Sequence, residues 1–302
     1  MCQITYLCDM KKWLMITRPW SFVVSATPVV ATTLFLLYKC GAANINWLNA
    51  LLALVGIVVF HAAGNLHSDY YDYKTGIDSK EAFCIQSLVN GEFKPSQYRN
   101  FSLILLAVGI VIGLVLTWLS GWQLLAIGGI GCLLTLLYPW TKFHALGDLN
   151  IFIVFGILPM LGTSLVATGA IDCSTLLLSV PVGFVTVAVL HSNNTRDIPT
   201  DSAAGAKSFA AVIGQKASMW LYIALITIPS VYTVVMSCAG LFPWWCLLIL
   251  LSLPIVFKNI GQALKLRTEG LSAFNQLDLM TAKLQMISGI MLCLGFIIAT
   301  LV

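Results

Sequence analysis

The stretch "NLHSDYYDYKTGID", Asn65 to Asp78, follows directly on "NALLALVGIVVFHAAG", residues 49–64. The leading run is apolar enough to lie in a bilayer, and the run behind it places Asp69, Asp72 and Asp78 at its end. An apolar run closing in three carboxylates marks a membrane helix with a polar task at its mouth, because ionisable groups at membrane depth are costly and kept for function.

The rest of the chain agrees with that setting. Of 302 residues, 59% are hydrophobic and 9% charged, with a mean hydropathy of +0.92. Soluble domains are about 25% charged. Nine apolar segments, at 21–38, 47–67, 102–119, 121–138, 148–170, 174–192, 217–237, 242–257 and 284–302, approach the roughly 20 residues that span a bilayer as helix, the eighth being short. They are continuously apolar and lack the alternation of a membrane barrel. The composition therefore predicts an all-α polytopic membrane protein, one domain over 1–302. Its nine transmembrane helices surround a central cavity open to the cytoplasmic side.

Basic residues set the orientation. With the N-terminus inside, fifteen of the sixteen Lys and Arg residues fall on the cytoplasmic side and only Lys39 lies outside. Asp172 is the only one of twelve acidic residues outside. The long loops, 68–101, 193–216 and 258–283, are expected on the cytoplasmic face, in an inner or cell membrane, with the C-terminus outside. No cleavable signal peptide is read; the first apolar run is a retained span. The formal charge of +4 suits a membrane surface and gives no sign of a nucleic-acid partner. The nine scattered cysteines form no CxxC pair, which argues against a thiolate metal site.

Asn65, Asp69 and Asp72 are spaced i, i+4, i+7, and fall within about 60° of one face if the second span continues that far. In "HSNNTRDIPTDSAAGAKS", residues 191–208, Asn193, Asp197 and Asp201 repeat at i, i+4, i+8, with Pro199 placed to bend or end the helix. Two such faces on one membrane side bring like charges together, which raises their pKa values unless cations intervene. Oxygen-only ligands favour Mg²⁺, with Mn²⁺ as an alternative, and Mg²⁺ completes its shell with substrate phosphates. A diphosphate is the natural ligand. Solvated loop charge is the bland alternative for either cluster alone.

At this point the sequence resembles the UbiA superfamily of intramembrane aromatic prenyltransferases. "SDYYDYKTGID" is similar to its first Asp-rich motif, in the spacing found in 1,4-dihydroxy-2-naphthoate polyprenyltransferases of menaquinone synthesis. "NNTRDIPTDSAAGAKS" is similar to its second, and "TRPWSFVVSATPV" (17–29) and "YPWTKFHALGDLNIFIVFG" (138–156) resemble two further family segments. Ser68 stands where the family usually has Asn, and Trp20 follows Arg18-Pro19 where Lys is common.

The resemblance implies a Mg²⁺-dependent enzyme. Asp69, Asp72, Asp197 and Asp201 would hold the metal–diphosphate, assisted by Asp78. The polyprenyl tail would lie among the helices in the lipid bilayer, and an aromatic acceptor would be alkylated, with 1,4-dihydroxy-2-naphthoate giving demethylmenaquinone. Asn65 is expected to supply the contact that the shorter Ser68 cannot make directly. Asn193 and Asn194 are expected at the substrate. Lys142, Lys207, Arg18 and Arg196 are candidate diphosphate clamps or ordinary cytoplasmic-side charge. Tyr138 is a candidate for the allylic site or an interfacial aromatic, and Asp148 an acceptor contact or a helix cap. The histidines 61, 67, 144 and 191 lack metal-ligand spacing and read as polar contacts. Two rivals remain: a family member with another acceptor (a phenol, a tetrapyrrole alcohol or a glycerophosphate lipid), and a cation-coupled transporter.

Overall fold

In a computed structural model, residues 11–76 and 87–302 are described; Asp78 lies outside them. Every named element is helical: α1 (Pro19–Cys40), α2 (Trp47–Thr75), α3 (Pro95–Ser120), α4 (Gln123–Leu136), α5 (Tyr138–Phe143), α6 (Gly147–Thr168), α7 (Cys173–Arg196), α8 (Ile198–Ala203), α9 (Phe209–Ile213), α10 (Gln215–Cys238), α11 (Trp244–Phe274) and α12 (Leu277–Leu301).

Eight of these are long and apolar enough to cross a membrane, and α4, of 14 residues, is a ninth apolar helix too short for that measure. All nine expected segments are present. Their ends differ, because hydropathy marks where the bilayer ends and not where the helix does. Helix α2 continues to Thr75 and stops at Gly76, whose φ of 78° suits a residue without a Cβ. Helix α3 begins at Pro95, well before residue 102. The loops expected at 193–216 and 258–283 are largely helical, being filled by α8 and α9 and by the ends of α11 and α12.

The membrane helices pack in chain order, and α12 closes on α1. Contacts of α1 with α6 and of α7 with α12 tie opposite sides of this ring. Helices α6 and α7 each contain a π-helical turn, Ile153–Ile157 and Ser179–Gly183. The turns meet through two glycines: a Cβ on Gly183 would lie 3.0 Å from the Gly156 Cα. Ser179 Oγ donates to the Gly156 carbonyl at 2.6 Å across this contact. Outward faces are apolar, as lipid requires; Trp118 and Trp122, 89% and 74% exposed, mark an interfacial aromatic position between α3 and α4.

Lys39 and Asp172, the two charges expected outside, form an ion pair with each other at 2.6 Å, and Ser174 accepts a further bond from Lys39 at 2.8 Å. Opposing burial, these contacts hold the Asp172 carboxyl below its ordinary range.

Candidate active site

The last two turns of α2 present Asp69 and Asp72. Asp69 is buried and forms an ion pair with Arg18, the residue just before α1. Arg18 has left-handed backbone (φ 58°, ψ 58°), which is rare for a non-glycine residue and costs on the order of 1–3 kcal/mol. The surrounding bonds explain how it persists. Asn65 Nδ2 donates to the Thr17 carbonyl at 3.0 Å and to Ser21 Oγ at 3.2 Å, and Ser21 Oγ donates to the Arg18 carbonyl at 2.7 Å. Asn65 thus clamps the turn that aims Arg18 at Asp69. The Ser68 side chain is half-buried on the same helix.

The second motif bends at Asp197, where α7 gives way to α8 and Pro199 occupies the first turn. The stripe survives the bend. Asp197 N donates to the Asn193 carbonyl at 2.9 Å and Asp201 N to the Asp197 carbonyl at 2.8 Å, so the three residues remain stacked. Arg196 grips Asp197 with two bonds, Nε at 2.7 Å and Nη2 at 2.8 Å, and reaches Asp278 of α12 at 3.4 Å. Asp278 was not foreseen; a lone aspartate in a basic segment carries no signal of its own.

The two motifs meet at Lys142. Its Nζ lies 3.5 Å from Asp72 Oδ2 and 3.7 Å from Asp201 Oδ1, with 13% of the side chain exposed. Lys142 is placed by α5, which Asn150 staples to its neighbours through bonds to Thr141 Oγ1 and the Leu134 carbonyl, both 2.9 Å. The turn after α5 contains Ala145 at φ 59°, which with Arg18 completes the left-handed non-glycine residues among those described. Both border the site. Lys207, expected as a second clamp, is exposed; its backbone N donates to the Phe143 carbonyl at 3.2 Å and docks the segment after α8 on α5.

The sequence predicts carboxylates crowding one another. The structure instead sets a cation against each: Arg18 on Asp69, Lys142 between Asp72 and Asp201, Arg196 on Asp197. Among the described residues no group of three or more His, Cys, Asp or Glu is gathered as a metal nest. Burial would lower the Lys142 pKa, but Asp72 and Asp201 outweigh it and hold the ammonium charged well above the ordinary range. Asp201 is pushed up to about 6 by burial and by Asp197 and Asp72, against Lys142. Burial, with Asp72, Asp148 and Asp201, keeps the half-buried Tyr138 a neutral phenol despite Lys142.

Magnesium suits these donors. Asp72 Oδ1, both Asp201 oxygens and Asn193 Oδ1 are buried without a hydrogen-bond partner among the described residues. Such oxygens call for a hard cation or its water.

Behind the motif lies a closed network. His191 Nδ1 is 2.6 Å from Asp148 Oδ2, its Nε2 is 2.8 Å from Ser218 Oγ, and Asn194 donates to Asp148 Oδ1 at 3.2 Å. Asn194, expected at the substrate, is buried in this support, which ties α6, α7 and α10.

A ring of membrane helices with two carboxylate motifs at one end, joined through a lysine, defines an intramembrane protein with a site of paired charges at one end of its bundle. The chain belongs to the UbiA prenyltransferase family, whose description matches residues 29–274. UbiA prenyltransferase domain-containing protein 1 of Xenopus tropicalis is 32% identical over 290 residues, covering 93% of this chain and 80% of that protein. Two archaeal structures share the fold. One is an apo UbiA homolog from Aeropyrum pernix K1 (TM-score 0.67, 19% identity, 91% of this chain and 97% of that one). The other is a UbiA homolog from Archaeoglobus fulgidus bound to DMAPP and Mg²⁺ (TM-score 0.57, 15% identity, 92% and 99%).

Proposed function

We propose that this protein transfers a prenyl group from a prenyl diphosphate to an electron-rich dihydroxyaromatic ring, with 1,4-dihydroxy-2-naphthoate the acceptor implied by the resemblance of the first motif to that of menaquinone-pathway prenyltransferases. The observation that carries the reading is Lys142 standing between Asp72 and Asp201, one from each motif. It supports one shared anion site in place of two solvated clusters.

Asp69, Asp72, Asp197 and Asp201 would hold Mg²⁺ against the diphosphate. When bound, the metal neutralises charge on the departing diphosphate. The protein's own cations act at the same place. Lys142 stays an ammonium, and Arg18 and Arg196 are fixed at the rim of the site, where fixed donors stabilise developing negative charge. Tyr138, kept neutral, retains a hydroxyl proton to donate. The apolar helices accommodate the prenyl tail and keep bulk water from the allylic carbon. Transporter sites lie near the bilayer midplane; these carboxylates stand at the cytoplasmic ends of α2 and α7, which favours the enzyme.

Purified protein should be incubated with Mg²⁺, labelled prenyl diphosphates and a panel of acceptors: dihydroxynaphthoate, simpler phenols, a tetrapyrrole alcohol and a glycerophosphate lipid. Prenylated dihydroxynaphthoate, abolished by EDTA and restored by Mg²⁺ or Mn²⁺, is the expected result. Full turnover in chelator, or transfer confined to the alcohols, contradicts it.

A further inference from the structure

The polar stripe of α2 does not stop at Asn65. One turn deeper stands His61, so His61, Asn65, Asp69 and Asp72 follow at intervals of four, four and three. At 100° per residue all four stay within about 80° of one face, and His61 lies about 12 Å below Asp69 along the helix axis. A prenyl chain whose diphosphate sits at the carboxylates has its first carbon below them. An aromatic ring beside that carbon has a hydroxyl within reach of this depth.

The hydrogen bonds around His61 fix its tautomer. Its Nδ1 is 3.0 Å from the Oγ of Ser25, a residue with no exposed surface. A serine hydroxyl has one proton, and Ser25 donates its own to the Phe22 carbonyl at 3.0 Å. Towards the imidazole the Ser25 oxygen can only accept, so Nδ1 carries the ring hydrogen. The neutral ring then presents Nε2 as a bare lone pair, and Nε2 has no hydrogen-bond partner among the described residues. Phe22 and Phe155 flank the ring edge-on, with centroids at 5.8 and 5.0 Å, so α1, α2 and α6 all meet here. His191 offers no such capacity, since both its nitrogens are engaged. His67 binds the Leu136 carbonyl, and His144 lies exposed on the surface.

We propose that His61 is a catalytic residue whose Nε2 accepts the hydroxyl proton of the aromatic acceptor. This rests on the function proposed above. As the O–H bond breaks, its proton goes to Nε2 and its electron pair moves into the ring. A ring carbon forms a bond to the first carbon of the prenyl group, and the bond from that carbon to diphosphate oxygen breaks, the diphosphate leaving with the electron pair. The alkylated ring carbon then loses its proton to diphosphate, or its carboxyl group as carbon dioxide. The ring oxygen takes back the proton from Nε2, which returns to its starting state. The Phe22 and Phe155 rings line the place where the acceptor would stack.

The test compares wild type with His61→Gln and His61→Ala in three assays. These are transfer to an ordinary phenolic acceptor, transfer to an acceptor whose hydroxyl is already ionised at assay pH through a ring nitro group, and Mg²⁺-dependent binding of labelled prenyl diphosphate. Removing a general base should lower kcat roughly 100-fold or more on the ordinary acceptor. The defect should shrink to less than about tenfold on the ionised one, with diphosphate affinity near wild type. Wild-type turnover in both variants overturns the inference. So does an equal loss on both acceptors, or a loss of diphosphate binding, each of which makes His61 structural. Wild-type protein that prenylates no aromatic ring overturns the proposed function, and this inference with it.

Discussion

Asn65 spends its amide on the backbone of Thr17 and the hydroxyl of Ser21, and so acts on the proposed diphosphate site through Arg18. The sequence suggests that Asn65 reaches the substrate in place of the shorter Ser68; the geometry gives it a different means of acting. Without its amide, the left-handed Arg18 turn keeps the Ser21 bond to its carbonyl but loses the clamp on Thr17 and Ser21, and the guanidinium loses its aim at Asp69. Asn65→Ala should therefore lower kcat/KM for prenyl diphosphate by roughly 10- to 150-fold, because the contact put out of place is the charged one made by Arg18, the Asn65 bonds themselves being to neutral groups. Ser68→Ala should change it by less than about threefold. Steady-state kinetics on the two variants decide, and a larger loss in Ser68→Ala makes Ser68 itself the ligand. Asp201 gives a second prediction. Its carboxyl is raised from 3.8 to about 6, so its ionised form disfavours the fold. That cost is absent below about pH 4, grows through the window, and is full above about 6. Asp201→Asn should stabilise the metal-free protein at pH 7.5 by at most about 3 kcal/mol, while abolishing transfer. Thermal melts with EDTA across pH 4–8 should show the advantage fading as pH falls. An advantage that grows towards low pH contradicts this.

At the scale of elements, the membrane helices are held by close approach where the chain supplies glycine, as membrane bundles require. Gly295 of α12 is the tightest case. A Cβ there would lie 2.7 Å from both the Cys246 Cα and the Trp245 carbonyl oxygen, backbone atoms that cannot swing aside. Gly295→Ala should cost about 1–3 kcal/mol by overpacking and lower the melting temperature. The site lies at the opposite end of α12, so KM for prenyl diphosphate should hold. An unchanged melting temperature contradicts the close packing. The number and order of the helices were legible in the apolar runs because lipid imposes the pattern on every span. Helix ends were not. Asp69 and Asp72 stand on a helix that outruns its apolar segment, and the segment after Lys258 coils on as helix because helical turns beyond the apolar run need no apolar signature.

Across the whole molecule, charge is sorted by side. Lys39 and Asp172 neutralise each other at one end, while the carboxylate motifs and their cations gather at the other. Asp69, Asp72, Asp197 and Asp201 were legible as two matching stripes, and Lys142 and Arg18 as basic residues beside them. The pairing of each carboxylate with a cation was not, because it depends on how α5 and the start of α1 fold back over α2. Nor was the role of Asn194, whose side chain turns from the site into the Asp148–His191 network. The central claim is that both motifs build one site, and a double-mutant cycle tests it directly. Asp72→Asn, Asp201→Asn and the double variant should be compared for Mg²⁺-dependent kcat/KM with labelled prenyl diphosphate. Residues that act as a unit are strongly non-additive, so the double variant should fall within about threefold of the worse single. Losses that multiply would mean two independent clusters and would contradict a shared diphosphate site.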